Sequence, residues 1–359
     1  MPLRTHTRLP LGLLECDATE LHEHLGGPTL IQLQGDAQPA LFVSVLLHGN
    51  ETSGWDGVRR YLKDTPNLPR DITLFIGNTE AAQVGMRALP TQPDFNRIWR
   101  DAEGQGAALA AAVQSAIADQ PFVASVDLHN NTGHNPYYSV VTDLEPHNLG
   151  LAYLFSDKAV YVEEPDTVLT RIFTGRCPAV ALEVGPVGDP RCADRVYDYV
   201  ARCMALESVP EAKPDQFSLF RTRVRVHIQD EVSFRFEGDD GVEDPAPLVL
   251  TGGVEAVNFH VLGRGTVFGA STLAVDRVFR VLDVDHRDVT EDYFEHDGEA
   301  ILLKEDVVPA MYTTDPYVVR QDCLCYFMER IHFEDNEEVT GIDPLPEGLQ
   351  RSDTPTGAA

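Results

Sequence analysis

"ALFVSVLLHGNETSGWDGVRRYLKD", residues 40–64, holds the pattern on which the fold turns. The run 40–47 is apolar except for Ser44 and reads as a buried strand. The segment 53–64 then has helical character, with Ser53 as its expected N-cap. A strand handing over to a helix in this way repeats along the first 207 residues. "DITLFIGN" (71–78), "FVASVDLH" (122–129), "AVYVEE" (159–164) and "AVALEVG" (179–185) read as strands. "GQGAALAAAVQSAIADQ" (104–120) and "PRCADRVYDYVARCMALE" (190–207) read as helices. Such alternation predicts an α/β domain whose mixed, mostly parallel sheet is flanked by helices.

The texture changes after "SVPEAKPDQ" (208–216), which carries two Pro and several charges and reads as a linker. "LFRTRVRVHIQ", "NFHVLGRGTVFGAS", "FRVLDVDH" and "CLCYFMER" are short alternating stretches divided by Gly, Asp and Pro. The expected organisation is an α/β domain at 1–207, a linker at 208–216, a smaller β-rich domain at 217–335 and a disordered tail at 336–359. "FEGDDGVEDPAP" (236–247) is expected to be a surface loop, and "GRGTVFG" (263–269) a β-turn or bulge, since its glycines are misspaced for dinucleotide binding.

Charge narrows the partners. Acidic residues outnumber basic ones by 57 to 28, and a net charge of −29 repels nucleic acid and anionic membranes. No run of 18 apolar residues occurs, and the start of the chain lacks the pattern of a signal peptide, so a cytoplasmic location is expected. The six cysteines include no CxxC pair and read as reduced structural thiols, with CLC (323–325) as strand alternation. The sequence leaves an oligomer open.

The "HGNE" between strand and helix raises the chemical question. His48 and Glu51 are separated by two residues, so one turn of backbone can aim both at a common point. They sit at the carboxyl edge of the expected sheet, where ligands collect in open α/β folds. HxxE alone is more often an ordinary turn. A third ligand is sought in His129, which ends the strand 122–129, with His134 as a rival five residues on. Two imidazoles and one carboxylate form the donor set of a catalytic zinc site with one position open. Asp127, two residues before His129, lies on the same side of a strand and could hold its imidazole. Glu183, set among Val and Leu, needs a polar site to face, and partial desolvation would suit it to general base and acid work. Arg87, Asn96, Arg97, Arg171 and Arg176 gather basic and polar groups near these strands, which in so acidic a chain suggests an anionic substrate.

"HGNE", "DFNR", "DLHNNTG" and "LEVGP", in this order, resemble the succinylglutamate desuccinylase/aspartoacylase family, itself similar to the zinc carboxypeptidases. The resemblance covers about residues 40–190. It implies one zinc ion on His48, Glu51 and His129, a catalytic Glu183, and a substrate carboxylate bound by Asn96 and Arg97. The implied activity is hydrolysis of the amide of a small anionic N-acyl amino acid. The family's oxyanion-stabilising Arg would fall on Leu89, and Arg87 fits only with two residues inserted. A substrate-binding Arg ahead of "EVGP" corresponds to Arg171, with Arg176 as the alternative, and a family Tyr to Tyr312 in "VPAMYTTDPY". Two other functions remain in view at this point: a metallocarboxypeptidase acting on short peptides, and a non-catalytic metal-binding or ligand-binding protein.

Overall fold

The computed structural model describes residues 2–100, 103–131, 133–238, 246–334 and 337–341. These fall into two units: 2–131 with 137–219, and 133–136 with 220–341.

The first unit is a mixed α/β structure. Its strands are β1 (Arg4–His6), β2 (Thr29–Leu33), β3 (Ala40–Val45), β4 (Ile72–Ile76), β5 (Phe122–Asn131), β6 (Tyr138–Val141), β7 (Lys158–Tyr161) and β8 (Ala179–Pro186). They run in the order β1-β2-β4-β3-β5-β8-β6-β7. β4, β3, β5 and β8 are mutually parallel, while β2 meets β4 and β6 meets β8 antiparallel. Every residue of β3, β4 and β5 is buried. Successive side chains of a strand point to opposite faces, so both faces here are covered, and near-continuous apolar runs follow from that. Phe42, Phe122 and Phe173 pack as one aromatic group, with Phe75 edge-on to Trp99 close by.

The helices of this unit are α1 (Leu21–Leu25), α2 (Ser53–Asp64), α3 (Thr79–Gln83), α4 (Gly104–Ala116), α5 (Pro146–Tyr153) and α6 (Pro190–Met204). α2 and α6 approach closely because Gly57 has no side chain: a Cβ there would lie 2.5 Å from Val196 Cβ. Ser53 is not the N-cap that the sequence suggested. It is already the first helical residue, Thr52 makes no side-chain cap, and the Ser53 N–H instead donates to Asn130 Oδ1 of β5 at 3.2 Å. A tertiary contact thus satisfies an orphan donor that a local cap was expected to take.

The segment 208–216 is no free tether. Val209 and Ala212 are buried, and the Ala212 N–H donates to the Pro146 carbonyl at the start of α5. β1, β2 and β6 went unread in the sequence; β1 and β6 are short, and β6 follows directly on a loop.

The second unit is built mainly of strands. β9 (Ser218–Ile228) pairs antiparallel with β17 (Cys325–Glu334) and β13 (Phe279–Asp283), and β17 also pairs with β16 (Val308–Ala310) and β18 (Glu337–Gly341). A five-stranded sheet runs β10 (Phe234–Phe236), β11 (Leu248–Leu250), β12 (Val267–Ser271), β15 (Ala300–Leu303) and β14 (Phe294–Asp297). Its core gathers Phe268, Phe279, Phe294, Tyr312 and Phe327. The glycine-rich 263–269 stretch is a turn followed by an irregular register between Val267 and Gly269, as expected of a bulge. β18 lies inside the segment read as a disordered tail, a correction for 337–341; residues 342–359 are outside the described residues. Most of the expected loop 236–247 also lies outside them. Cys323, Leu324 and Cys325 are all buried, but β17 begins only at Cys325, so CLC is not the strand alternation expected; all six cysteines are free thiols.

Candidate metal centre

β3 ends at Val45, and the chain then turns through Leu46 at φ 57°, a left-handed conformation unusual for a branched residue. That turn delivers His48. Gly49 lies flat against the backbone of α3: a Cβ at that position would meet Ala81 C at 2.5 Å, Met86 O at 2.7 Å, and Ala82 N. The Glu51 N–H closes the turn on the His48 carbonyl at 3.1 Å. His129 enters from β5, one strand over.

The three side chains converge. His48, Glu51 and His129 are each buried, and one ligand atom from each lies within 4.8 Å of the others. His48 Nδ1 is 2.8 Å from Glu51 Oε1, and His129 Nδ1 is 2.8 Å from Glu51 Oε2. The far nitrogen of each ring meets another carboxylate: His48 Nε2 with Asp94 Oδ1 at 3.1 Å, and His129 Nε2 with Asp127 Oδ2 at 2.9 Å. An imidazole that donates its Nε2–H to a carboxylate presents Nδ1 with a free lone pair, which is how metal-binding histidines are usually held. The donor set, two Nδ1 atoms and a carboxylate, fits a divalent cation. The group could hold a metal ion.

Without an ion the electrostatics favour a proton on His129 between Nδ1 and Glu51, which a cation would displace. Burial alone would raise the Glu51 pKa, but His48 and His129 overcome it and hold the carboxyl well below its ordinary range. Burial would lower that of His129; Asp127 and Glu51 instead keep it well above the usual imidazole value. Asp94 is likewise held low against its burial, by His48 and Arg87.

Glu183 is the opposite case. Burial pushes its carboxyl up to about 7, Glu51 adds to the rise, and His129, His48 and Arg87 only partly offset it. It pairs in register with His129 across β5 and β8, and its Oε2 is buried without a hydrogen-bond partner among the described residues. A carboxyl titrating near neutrality beside two imidazoles is suited to carrying a proton both ways.

Most other residues singled out in the sequence lie at or near this group. Asp127 is buried and accepts from the Ser44 hydroxyl as well as from His129. Arg87 lies 3.8 Å from Glu51 Oε1 and donates to Asp94 Oδ2 at 3.1 Å. Asn96 Nδ2 is 3.4 Å from His129 Nε2, and the Arg97 guanidinium donates to the Asn96 carbonyl.

Others have different partners. Arg171 donates to the carbonyls of Thr142, Val162 and Glu163 and pairs with Asp166 at 3.2 Å. Arg176 donates to the Ile117 carbonyl. His134, the rival ligand, pairs with Glu255 in the second unit at 3.1 Å. Tyr312 is buried in the core of that unit, stacked on Phe268, with its hydroxyl unpartnered among the described residues.

Three residues with evident structural work were not singled out from the sequence. Asp94 was visible in "DFNR" beside the Asn–Arg pair. Ser44 was the only polar residue in the 40–47 strand, a signal that it had a buried partner. Asn130 accepts from Ser53 N–H and donates to Ser53 Oγ and the Gly185 carbonyl, joining α2, β5 and β8.

Solved structures share this architecture. Succinylglutamate desuccinylase from Vibrio cholerae superposes with a TM-score of 0.53 at 17% identity, over 85% of this chain and 86% of that one. The fold is that of the succinylglutamate desuccinylases. The Vibrio parahaemolyticus desuccinylase gives 0.52 at 18% identity over 85% and 86% of the two chains. That from Chromobacterium violaceum gives 0.50 at 15% identity over 83% and 86%. No family model matches the sequence, and no curated protein matches it. The backbone likeness agrees with the resemblance carried by the four short motifs.

Proposed function

We propose that this chain is a zinc-dependent hydrolase that cleaves the amide bond of a small, anionic N-acyl amino acid. The observation that carries the reading is the convergence of His48, Glu51 and His129, with Glu183 in register beside His129. The likeness to desuccinylase structures supports the substrate class.

Zinc on the three donors would polarise the scissile carbonyl and acidify a water. Glu183 takes the proton from the attacking water and returns it to the leaving nitrogen, a role that suits a carboxyl raised by burial in register beside His129. Arg87, anchored on Asp94, faces the oxyanion that forms at the carbonyl oxygen. Asn96 and Arg97 bind a substrate carboxylate. Asp127 fixes the tautomer of His129. Arg171 is reassigned: its carbonyl partners fit it to bracing the chain between Thr142 and Asp166. Tyr312, enclosed in the second unit's core, is given no role in binding.

The test pairs metal analysis of the purified protein with hydrolysis assays on succinyl, acetyl and formyl amino acids and on short peptides. About one zinc per chain and cleavage of an acyl amino acid are expected. Cleavage of peptides alone would favour the carboxypeptidase reading. Metal binding without hydrolysis of any of these amides would overturn the enzyme reading.

A further inference from the structure

One carboxylate touches three parts of the site. Asp94 Oδ1 lies 3.1 Å from His48 Nε2 and accepts from the Asn96 backbone N–H at 2.7 Å. Its Oδ2 accepts from the Arg87 guanidinium at 3.1 Å. We infer that Asp94 is a positioning residue that links a metal ligand to the arginine and asparagine of the substrate clamp, so that one side chain sets both metal affinity and transition-state contacts. The inference rests on the proposed function above.

Comparison with Asp127 shows what is particular to Asp94. Both carboxylates hold the Nε2 of a ligand imidazole. Asp127 directs its other oxygen to the Ser44 hydroxyl, on β3 within the sheet, and is almost fully buried. Asp94 directs its other oxygen to Arg87, which itself lies 3.8 Å from Glu51. The Asn96 N–H on Oδ1 fixes the backbone from which Asn96 and Arg97 project. A shift of Asp94 therefore moves His48, Arg87 and the Asn96–Arg97 pair together, whereas a shift of Asp127 acts on His129 and a strand.

Two substitutions separate the two halves of the role. Asp94→Ala removes the acceptor for every partner. Asp94→Asn can keep an oxygen toward His48 and Asn96 while turning an NH2 group toward Arg87, where it cannot accept. Zinc affinity is read by chelator competition on metal-stripped protein, and turnover on the acyl amino acid that the parent cleaves fastest, at saturating zinc. Asp94→Ala should weaken zinc binding roughly ten- to hundredfold. Asp94→Asn should bind zinc within about threefold of the parent yet lose about tenfold or more in kcat, with a smaller change in KM. Should Asp94→Ala not fold, Asp94→Asn carries the test alone. A zinc affinity of Asp94→Ala equal to the parent's, or parental kcat in zinc-saturated Asp94→Asn, overturns the inference. A parent that binds no zinc in the same titration instead overturns the proposed function itself.

Discussion

His129 and Glu183 stand side by side in the register of two parallel strands, so an imidazole of the candidate metal group and a carboxyl whose Oε2 is buried without a partner among the described residues share one stretch of sheet. β5 is buried along its whole length, and its register with β8 becomes irregular just after the His129–Glu183 pair.

Glu183→Gln keeps the volume and removes the proton carrier. Turnover should fall by about 10²- to 10⁴-fold while the zinc content stays at the parental level. Stopped-time hydrolysis assays and metal analysis on the same preparation check both halves, and substantial residual turnover would falsify the assignment of Glu183 as base.

The same carboxyl gives the metal-stripped protein a pH signature. Its folded pKa of about 7 lies above the unfolded value of 4.5, so the native state holds the proton more tightly. The native state then binds more protons than the unfolded chain across that interval, and stability falls as pH rises from about 4.5 to 7. The carboxyls of Glu51 and Asp94, held low, act in the other direction and lose their contribution only below that interval. Thermal midpoints of parent and Glu183→Gln, measured between these limits after chelation, should diverge as pH rises, with the parent declining more. Parallel curves would remove the shift.

Gly49→Ala places a methyl group against the backbone of α3, which cannot rotate aside. The His48–Glu51 turn must move instead. Destabilisation of about 1–3 kcal/mol and a clear loss of metal affinity are expected, read by denaturant unfolding and chelator competition. Unchanged affinity would mean that the turn tolerates displacement.

Ser44→Ala leaves Asp127 with one donor fewer in a buried site. The expected cost is about 1–3 kcal/mol in stability, with weaker zinc binding because the His129 tautomer is less firmly held. A Thr at the same position should restore part of both.

Arg171→Lys and Arg97→Lys should part company. Lys cannot serve the several carbonyls and the carboxylate that Arg171 joins, so that variant should lose about 1–3 kcal/mol of stability at nearly constant KM. Arg97→Lys should raise KM roughly tenfold at near-parental stability. The reverse pattern would return substrate binding to Arg171.

Much of this site was legible in the sequence because its chemistry is local. Strand-end histidines and a carboxylate in an apolar strand are odd enough to stand out, and His48, Glu51, His129 and Glu183 needed only the sheet order to bring them together. What escaped depends on partners distant in the chain. Asp94 earns its place through His48, 46 residues away, and Asn130 replaces a local helix cap from 77 residues away. The carbonyl partners of Arg171 were out of view for the same reason, since sequence shows a cation but not what surrounds it. β18 formed where composition suggested only a tail, because a strand edge at β17 was there to pair with it.

The candidate donors after β3 and on β5, and Glu183 on β8, grow out of the sheet's interior strands, whose amides should exchange with solvent only when the whole unit opens. Local breathing at the margins, at β1 or in the loops, would leave the centre standing. The metal-stripped protein should therefore keep its fold and its ability to bind an ion, and lose both together only when the first unit itself unfolds.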